Sequence, residues 1–420
     1  MVKVCLIDLP PKNMTRIYWC EASSSANTKL PPLDLLYISS FLEQFGIETV
    51  VKDTNYICVD AKYFVFHIAY QTLQQDLEYV RNYQKFGKTI VFGCDVTANP
   101  DFYRKFDCID YVVTGEPELP ILAIVENKEF YSYILENLDG LIPNYEKIDL
   151  KNYSCSYIKK KPFVVSLSSR GCSYNCSFCS SHLMYGRKFR PRSAFDVVNE
   201  MNYFAKRGIK TIWYYDDTFT LSRIRVLEIC ERIKHDNPEI YWKTQTRADK
   251  LDEELISKML DVGCYELGIG IESGNQIILN KNQKNLDLKK VEETFKICND
   301  LGMKTVAFFM LGMAYETKKT VEETIEFAKK INPTYAQFVL ATPYRGTEFF
   351  NLSKKEGWLI SDSYDCSGKY ILEMNDLTSE YMEQKLIEAN KQFYLRPGYI
   401  LNQLRSPSME KLRSFLEMVK

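Results

Sequence analysis

Ser168-Ser-Arg-Gly-Cys-Ser-Tyr-Asn-Cys-Ser-Phe-Cys-Ser-Ser181 is the stretch whose reading decides the fold. It carries Cys172, Cys176 and Cys179, with three residues between the first pair and two between the second. Thiolates are soft ligands that suit iron–sulfur clusters or zinc. A [4Fe–4S] cluster ordinarily takes four cysteines, so three on one loop leave one iron open to a small molecule. The competing reading is zinc, with His182 as a fourth ligand. Zinc ligands usually come as two separated pairs, which these cysteines do not form.

The chain beyond the loop is regular. Phe163–Leu167 reads as a strand that feeds the loop directly. Further strands are expected at Thr211–Tyr215, Tyr241–Gln245, Glu266–Ile271, Lys304–Leu311 and Ala336–Leu340. Between them, helices are expected at Ala194–Lys206, Ile224–Lys234, Asp252–Asp261, Leu288–Leu301 and Val321–Lys330. Gly208 and Gly263 stop two of them, and Thr320 with Glu323 reads as a capping box on the last. Six strand–helix units are too few to close an eight-stranded barrel, so a partial (β/α)6 barrel follows.

Parallel barrels carry their functional groups where strands end. Asp216 and Asp217 follow the second strand, Arg247 the third, and Glu272 and Ser273 the fourth. Gly312 follows the fifth strand, and Pro343-Tyr344-Arg345-Gly346 the sixth. Each alone is ordinary turn chemistry. Their convergence on the cysteine loop is not. Carboxylates can hold an ammonium group or sugar hydroxyls, and an arginine can bind a carboxylate.

Residues before the loop alternate in the same way. Val2–Leu9, Ile47–Val51, Tyr63–Phe66, Thr89–Phe92 and Tyr111–Val113 read as strands. Helices are expected from Pro31 to Gly46, over Leu77–Tyr83 and from Leu119. This pattern implies a doubly wound parallel sheet, which binds ligands beyond the carboxyl ends of its strands. Lys128–Lys161 is polar and irregular and reads as a surface linker. The tail reads as helical over Asp376–Asn390 and Arg405–Lys420, the latter basic and amphipathic, a covering helix. The fold class is thus α/β, divided as 1–130, a linker at 131–161, a barrel at 162–350 and a helical region at 351–420.

Composition sets outer limits. The 420 residues are 45% hydrophobic, enough for two or three packed cores, and the net charge of −1 recruits neither nucleic acid nor anionic lipid. No apolar run approaches a membrane span, and the first residues lack a signal peptide's apolar region. Thirteen scattered cysteines fit a reducing cytoplasm. A cluster with an open iron also demands protection from oxygen.

The cysteine loop resembles that of the radical S-adenosylmethionine (SAM) enzymes. The resemblance implies a [4Fe–4S] cluster on Cys172, Cys176 and Cys179, with the amino and carboxylate groups of SAM on the open iron. It also implies reductive cleavage of SAM to a 5′-deoxyadenosyl radical. Phe178 stands where the family has an aromatic residue before the third cysteine. Tyr215-Asp-Asp-Thr-Phe-Thr220, Thr246-Arg-Ala-Asp249, Gly268-Ile-Gly-Ile-Glu-Ser-Gly274, Phe309-Met-Leu-Gly-Met313, Thr342-Pro-Tyr-Arg-Gly-Thr347 and Phe393-Tyr-Leu-Arg-Pro397 look like blocks of one subgroup. These blocks place Asp216, Asp217, Arg247, Glu272, Ser273, Gly312 and Tyr344 with Phe178 at the cofactor. Gly312-Met313-Ala314 departs from the usual Gly-Leu-Pro, which puts the adenine pocket in doubt.

In that subgroup a cobalamin-binding domain precedes the barrel. Pro31-Pro-Leu-Asp-Leu-Leu-Tyr37, the strand ending in Asp53 and Asp110-Tyr-Val-Val-Thr-Gly-Glu-Pro-Glu118 are similar to it. Phe92-Gly-Cys-Asp95 departs from the usual Gly-Gly turn, and Cys94 leaves a corrin less room. No Asp-x-His-x-x-Gly motif offers cobalt an imidazole, and His67, at a strand end, reads as structural.

The resemblance implies a cobalamin-dependent C-methyltransferase. Its alternative is a cobalamin-independent radical enzyme, an epimerase with Cys366 as hydrogen donor, a dehydratase or a cyclase. A zinc-stabilised binding module is the reading from another class. The expected substrate is a peptide or natural-product intermediate, and the expected electron donor a flavodoxin or ferredoxin.

Overall fold

The computed structural model describes residues 3–9, 14–17, 20–23, 28–53, 60–129, 134–155, 158–360, 370–374 and 376–404. Its first sheet holds β1 (Lys3–Asp8), β2 (Glu48–Asp53), β3 (Tyr63–His67), β4 (Lys88–Phe92) and β5 (Tyr111–Val112). All pairings are parallel, in the order β2-β1-β3-β4-β5. The order reverses at β1 and β3, the switch point where such sheets open a crevice beyond their strand ends. Helices α1 (Leu33–Gln44), α2 (Leu73–Gln84), α3 (Cys94–Ala98) and α4 (Glu118–Val125) connect and cover the strands. Val4–Ile7 and Phe64–Phe66 are buried throughout, as unbroken apolar runs in a parallel sheet should be.

The second sheet holds β6 (Phe163–Ser166), β7 (Thr211–Tyr214), β8 (Tyr241–Thr246), β9 (Cys264–Glu272), β10 (Lys304–Leu311) and β11 (Tyr335–Leu340). These strands are parallel and lie in strict chain order, with β6 and β11 at the edges. Between them run α5 (Ser181–Tyr185), α6 (Ala194–Lys206), α7 (Arg223–Asp236), α8 (Glu253–Asp261), α9 (Gln276–Lys281), α10 (Leu288–Leu301) and α11 (Lys318–Ile331). The partial barrel read from the sequence is therefore present. After it come α12 (Glu348–Lys355), α13 (Ser379–Tyr394) and α14 (Pro397–Leu404).

An open barrel leaves two strand edges to be satisfied. On β6, the Tyr145 hydroxyl accepts from Val165 N and donates to Val165 O, both at 2.7 Å. On β11, the Tyr394 hydroxyl accepts from Ala336 N at 3.2 Å and donates to Ala336 O at 2.7 Å.

Several expectations need correction. The connection before the barrel does not simply cross the surface: Leu138, Leu141 and Tyr145 are buried, because Tyr145 closes the β6 edge. The capping box on α11 is Thr317 with Thr320, not Thr320 with Glu323. The helix starts a turn earlier than read because Lys318 and Lys319 interrupt the apolar signal but not the helix. The tail helix covers Ser379–Tyr394 rather than Asp376–Asn390. Cys366 and Arg405–Lys420 lie outside the described residues.

Candidate active site

The cysteine loop leaves β6 through a clasp. Ser169–Arg170 pairs antiparallel with Arg190–Pro191, which fastens the two ends of the loop to each other. Gly171 turns the chain at φ +80°, and a β-carbon there would run into Lys188 O. Only glycine allows both.

Two aspartates after β7 hold this loop. Asp216 is fully buried and accepts from Ser168 N at 2.7 Å, Ser168 Oγ at 2.6 Å and Ser169 Oγ at 2.5 Å. Asp217 accepts from Ser181 Oγ at 2.6 Å, just past Cys179. Burial pushes Asp217 up to about 6, with Asp216 adding to the shift and Gly171 N–H opposing it. Burial likewise pushes the Cys172 and Cys179 thiols up, and Asp217 adds to both. A cation is what turns such thiols into thiolates. His182 does not offer its ring to the cysteines. Its Nδ1 lies 2.9 Å from Cys179 O and the Gly346 backbone takes a second contact, so zinc gains no fourth ligand there.

The mouth of the barrel is built from β8 and β9. Arg247 is buried, bonds Asp249 at 2.9 and 3.2 Å and Lys284 O at 3.0 Å, and lies 3.7 Å from the Tyr174 ring centre. Its Nη1 has no partner among the described residues, a buried donor left for an anion. Glu272 closes β9 at φ +74°, where the register slips between Gly270 and Glu272. Non-glycine residues rarely hold that conformation, and strain of this kind gathers at functional sites. The Glu272 carboxylate folds back over Gly270 and meets Lys284 at 3.0 Å.

The remaining expected residues lie around this mouth. Phe178 is half-buried in the loop. Ser273 is fully buried, 3.1 Å from Thr324 Oγ1, and accepts from Asn275 N at 3.2 Å. Gly312 has φ +88°, donates to Glu316 Oε2 at 2.6 Å and accepts from Tyr370 OH at 2.9 Å. Tyr344 instead reaches the first sheet's domain, where its hydroxyl accepts from Gln71 Nε2 at 3.3 Å.

Sequence reading missed three contributors. Asn282, fully buried, binds Ser177 N through its carbonyl at 3.0 Å and Ser177 Oγ through its side chain at 3.1 Å. Lys284 links Glu272 to Arg247: its ammonium meets Glu272 at 3.0 Å and its carbonyl accepts from Arg247 at 3.0 Å. Glu316 ties Gly312 to Met313, and burial pushes it up to about 8. All three stand on loops, where periodicity carries no signal.

Residues just past two strand ends of the first sheet touch the cysteine loop. Gly93, at φ +143°, lets the turn after β4 pass Ile68 O and the His67 ring, and no β-carbon would fit. Cys94 then turns its thiol to Ser180 O at 3.9 Å, next to Cys179. Asp95 meets Arg345 at 3.3 Å. Glu116 and Glu118 bind Arg170, two residues before Cys172, at 3.2 and 2.6 Å, and Glu116 also pairs with Arg190. His67 is structural in this setting: Nδ1 lies 2.8 Å from buried Asp34 and its ring stacks on Phe92.

Comparison with known proteins agrees with this geometry. Residues 166–328 match the radical SAM superfamily. An uncharacterised methyltransferase of Pyrococcus horikoshii is 29% identical over 89% of this chain and 90% of its own. An anaerobic magnesium-protoporphyrin IX monomethyl ester cyclase of Rubrivivax gelatinosus is 25% identical over 59% of this chain, which spans only 44% of that protein. In fold, the chain matches the radical SAM methyltransferase TsrM of Kitasatospora setae, solved with cobalamin and a [4Fe–4S] cluster. The TM-score is 0.70 at 15% identity, over 100% of this chain and 99% of that one. The cobalamin-dependent radical SAM enzyme OxsB matches at a TM-score of 0.69 and 14% identity, over 99% of this chain and 70% of that one. A loop of three cysteines, with no fourth ligand offered by His182, stands at the mouth of a six-stranded partial barrel, and residues 166–328 of this chain are a radical SAM domain.

Proposed function

We propose that the chain is a cobalamin-dependent C-methyltransferase acting at an unactivated C–H bond. One observation carries the reading. The strand ends of the first sheet meet the cysteine loop itself, Cys94 touching Ser180 and Glu116 and Glu118 gripping Arg170. A corrin bound at those strand ends would share its space with the cluster. When bound, the cluster and SAM supply a radical that takes hydrogen, and the corrin supplies the methyl group.

The chain's own residues hold and aim these groups. Cys172, Cys176 and Cys179 ligate the cluster. The unpartnered Nη1 of Arg247 takes the carboxylate of SAM, and Glu272 takes its ammonium or ribose. Asp216, Asp217 and Asn282 fix the loop, while Ser273 and Gly312 shape the adenosine side through Glu316. Phe178 packs beside the cluster, and Tyr344 braces the barrel against the first domain. Burying the site excludes water and lets positioning direct the chemistry.

The enzyme needs a reductant, which we assign to a flavodoxin or ferredoxin of a reducing cytoplasm. Among the described residues no helix is long and apolar enough to cross a membrane. A cobalamin-free reaction is favoured by one observation, the Cys94 side chain in the turn where a corrin needs room. Anaerobic purification with cobalamin supplied separates the two. Copurifying corrin at about one per chain supports the methyltransferase, and its absence from iron-loaded protein eliminates it.

A further inference from the structure

We infer that the inward wall of β10 and β11 recognises the substrate, and that it takes an uncharged small molecule with an apolar body. This rests on reading the barrel mouth as the radical SAM site.

Burial alternates along β10. Thr305, Ala307, Phe309 and Leu311 are buried, whereas Val306, Phe308 and Met310 are only half-buried. The buried set faces outward: Phe309 stacks on Phe338 at 5.3 Å, and Phe338 meets Phe393 of α13. Period-two alternation then sends Val306, Phe308 and Met310 into the barrel, with their register partners Tyr335, Gln337 and Val339 on β11. Contacts agree, because a β-carbon on Gly268 of β9 would strike Phe308 of β10 and Gln245 of β8, side chains of the two flanking strands on the same face. An eight-stranded barrel fills its interior with side chains. Here the inner face is the more exposed one, so the interior is hollow along this wall.

Most charges around the hollow are matched; the exceptions are the Arg247 Nη1 assigned to SAM and Lys304, which opens the inward face of β10 at the end far from the mouth. Lys243 and Glu266 pair at 2.7 Å, each with 4% of its side chain exposed, and Lys243 lies 3.9 Å from the Trp213 ring centre. They lie about 13 Å along the strand below the level of Arg247, which sets the depth. At the mouth, Glu272 pairs with Lys284 and Arg247 with Asp249. Between Val306 and Met310 the wall therefore offers apolar surface, the half-buried ring and hydroxyl of Tyr335 and the exposed amide of Gln337. A charged substrate group pressed onto this wall between Val306 and Met310 would find no counter-ion on it among the described residues. An apolar one would recover the burial that folding leaves incomplete.

The test uses the full chain, reconstituted anaerobically with its cluster, and Nile red as an uncharged planar probe. The variants are Phe308→Asp and Val339→Asp, with Ile224→Asp as a surface control, since Ile224 is 80% exposed. Iron content and SAM binding are measured on every protein, so failure of the radical SAM reading shows there and not in the probe. The expected result is saturable probe binding that both lumen variants weaken about tenfold and the control leaves unchanged. Unsaturable binding, or lumen variants that bind as tightly as the parent, overturns the proposal. So does tighter binding of the anionic probe anilinonaphthalene sulfonate at the same site.

Discussion

Arg170 donates to Glu118 at 2.6 Å with both side chains shut off from solvent. The pair joins the first domain to the residue that precedes Gly171 and the cluster cysteines. Removing Glu118 leaves Arg170 and Arg190 sharing Glu116, one buried positive charge in excess, and breaking a buried pair costs about 3–5 kcal/mol. Glu118→Ala should therefore lower the denaturation midpoint and the iron bound per chain together. Full iron loading in a destabilised variant would show that the two domains are linked but not the cluster loop.

The tyrosine hydroxyls on the barrel edges predict a second pair of losses. Tyr145→Phe strands the N–H and C=O of Val165, and Tyr394→Phe those of Ala336. Each should cost about 1–3 kcal/mol. The edges share no partners, so the double variant should lose the sum within about 0.5 kcal/mol. Denaturant titrations of the single and double variants measure this.

Gly171→Ala and Gly208→Ala separate space from backbone strain. Both residues have φ near +80°, but only Gly171 has a carbonyl where the β-carbon would go. Gly208→Ala should cost roughly 1 kcal/mol and bind iron normally. Gly171→Ala should fail to load iron. Equal iron content in the two variants would remove the loop glycine from the account.

Glu316 predicts a pH dependence. Burial raises its carboxyl from an ordinary 4.5 to about 8, so between these values the folded chain holds a proton that the unfolded chain releases. Stability from this group is therefore highest below pH 4.5 and falls as pH rises to 8, at up to about 1.4 kcal/mol per unit. Glu316→Gln keeps an acceptor for Gly312 N and Met313 N and should flatten that slope. An unchanged slope in the variant would contradict the assignment.

Much of this was legible because helices and strands of the barrel announce themselves by period. Leu288–Leu301 and Lys304–Leu311 match their expected bounds residue for residue. The polar residues at strand ends were also visible, and the structure brings Asp216, Asp217, Arg247 and Glu272 around the cysteine loop. Their division of labour was not visible. Asp216 spends its carboxylate on Ser168 and Ser169, which depends on how β6 and β7 register. Asn282, Lys284 and Glu316 come from loops that return to the site, a tertiary event with no local pattern. Tyr145 lay hidden for a related reason: its polar surroundings read as linker, while its hydroxyl serves an edge strand twenty residues away.

The account rests on an iron that Cys172, Cys176 and Cys179 leave open. Its most direct test is the electron paramagnetic resonance spectrum of the reduced, reconstituted cluster before and after SAM is added. The account predicts about four irons per chain and a spectrum that changes when SAM's amino and carboxylate groups bind. A spectrum indifferent to SAM, with the cluster fully loaded, would mean a fourth protein ligand and contradict it.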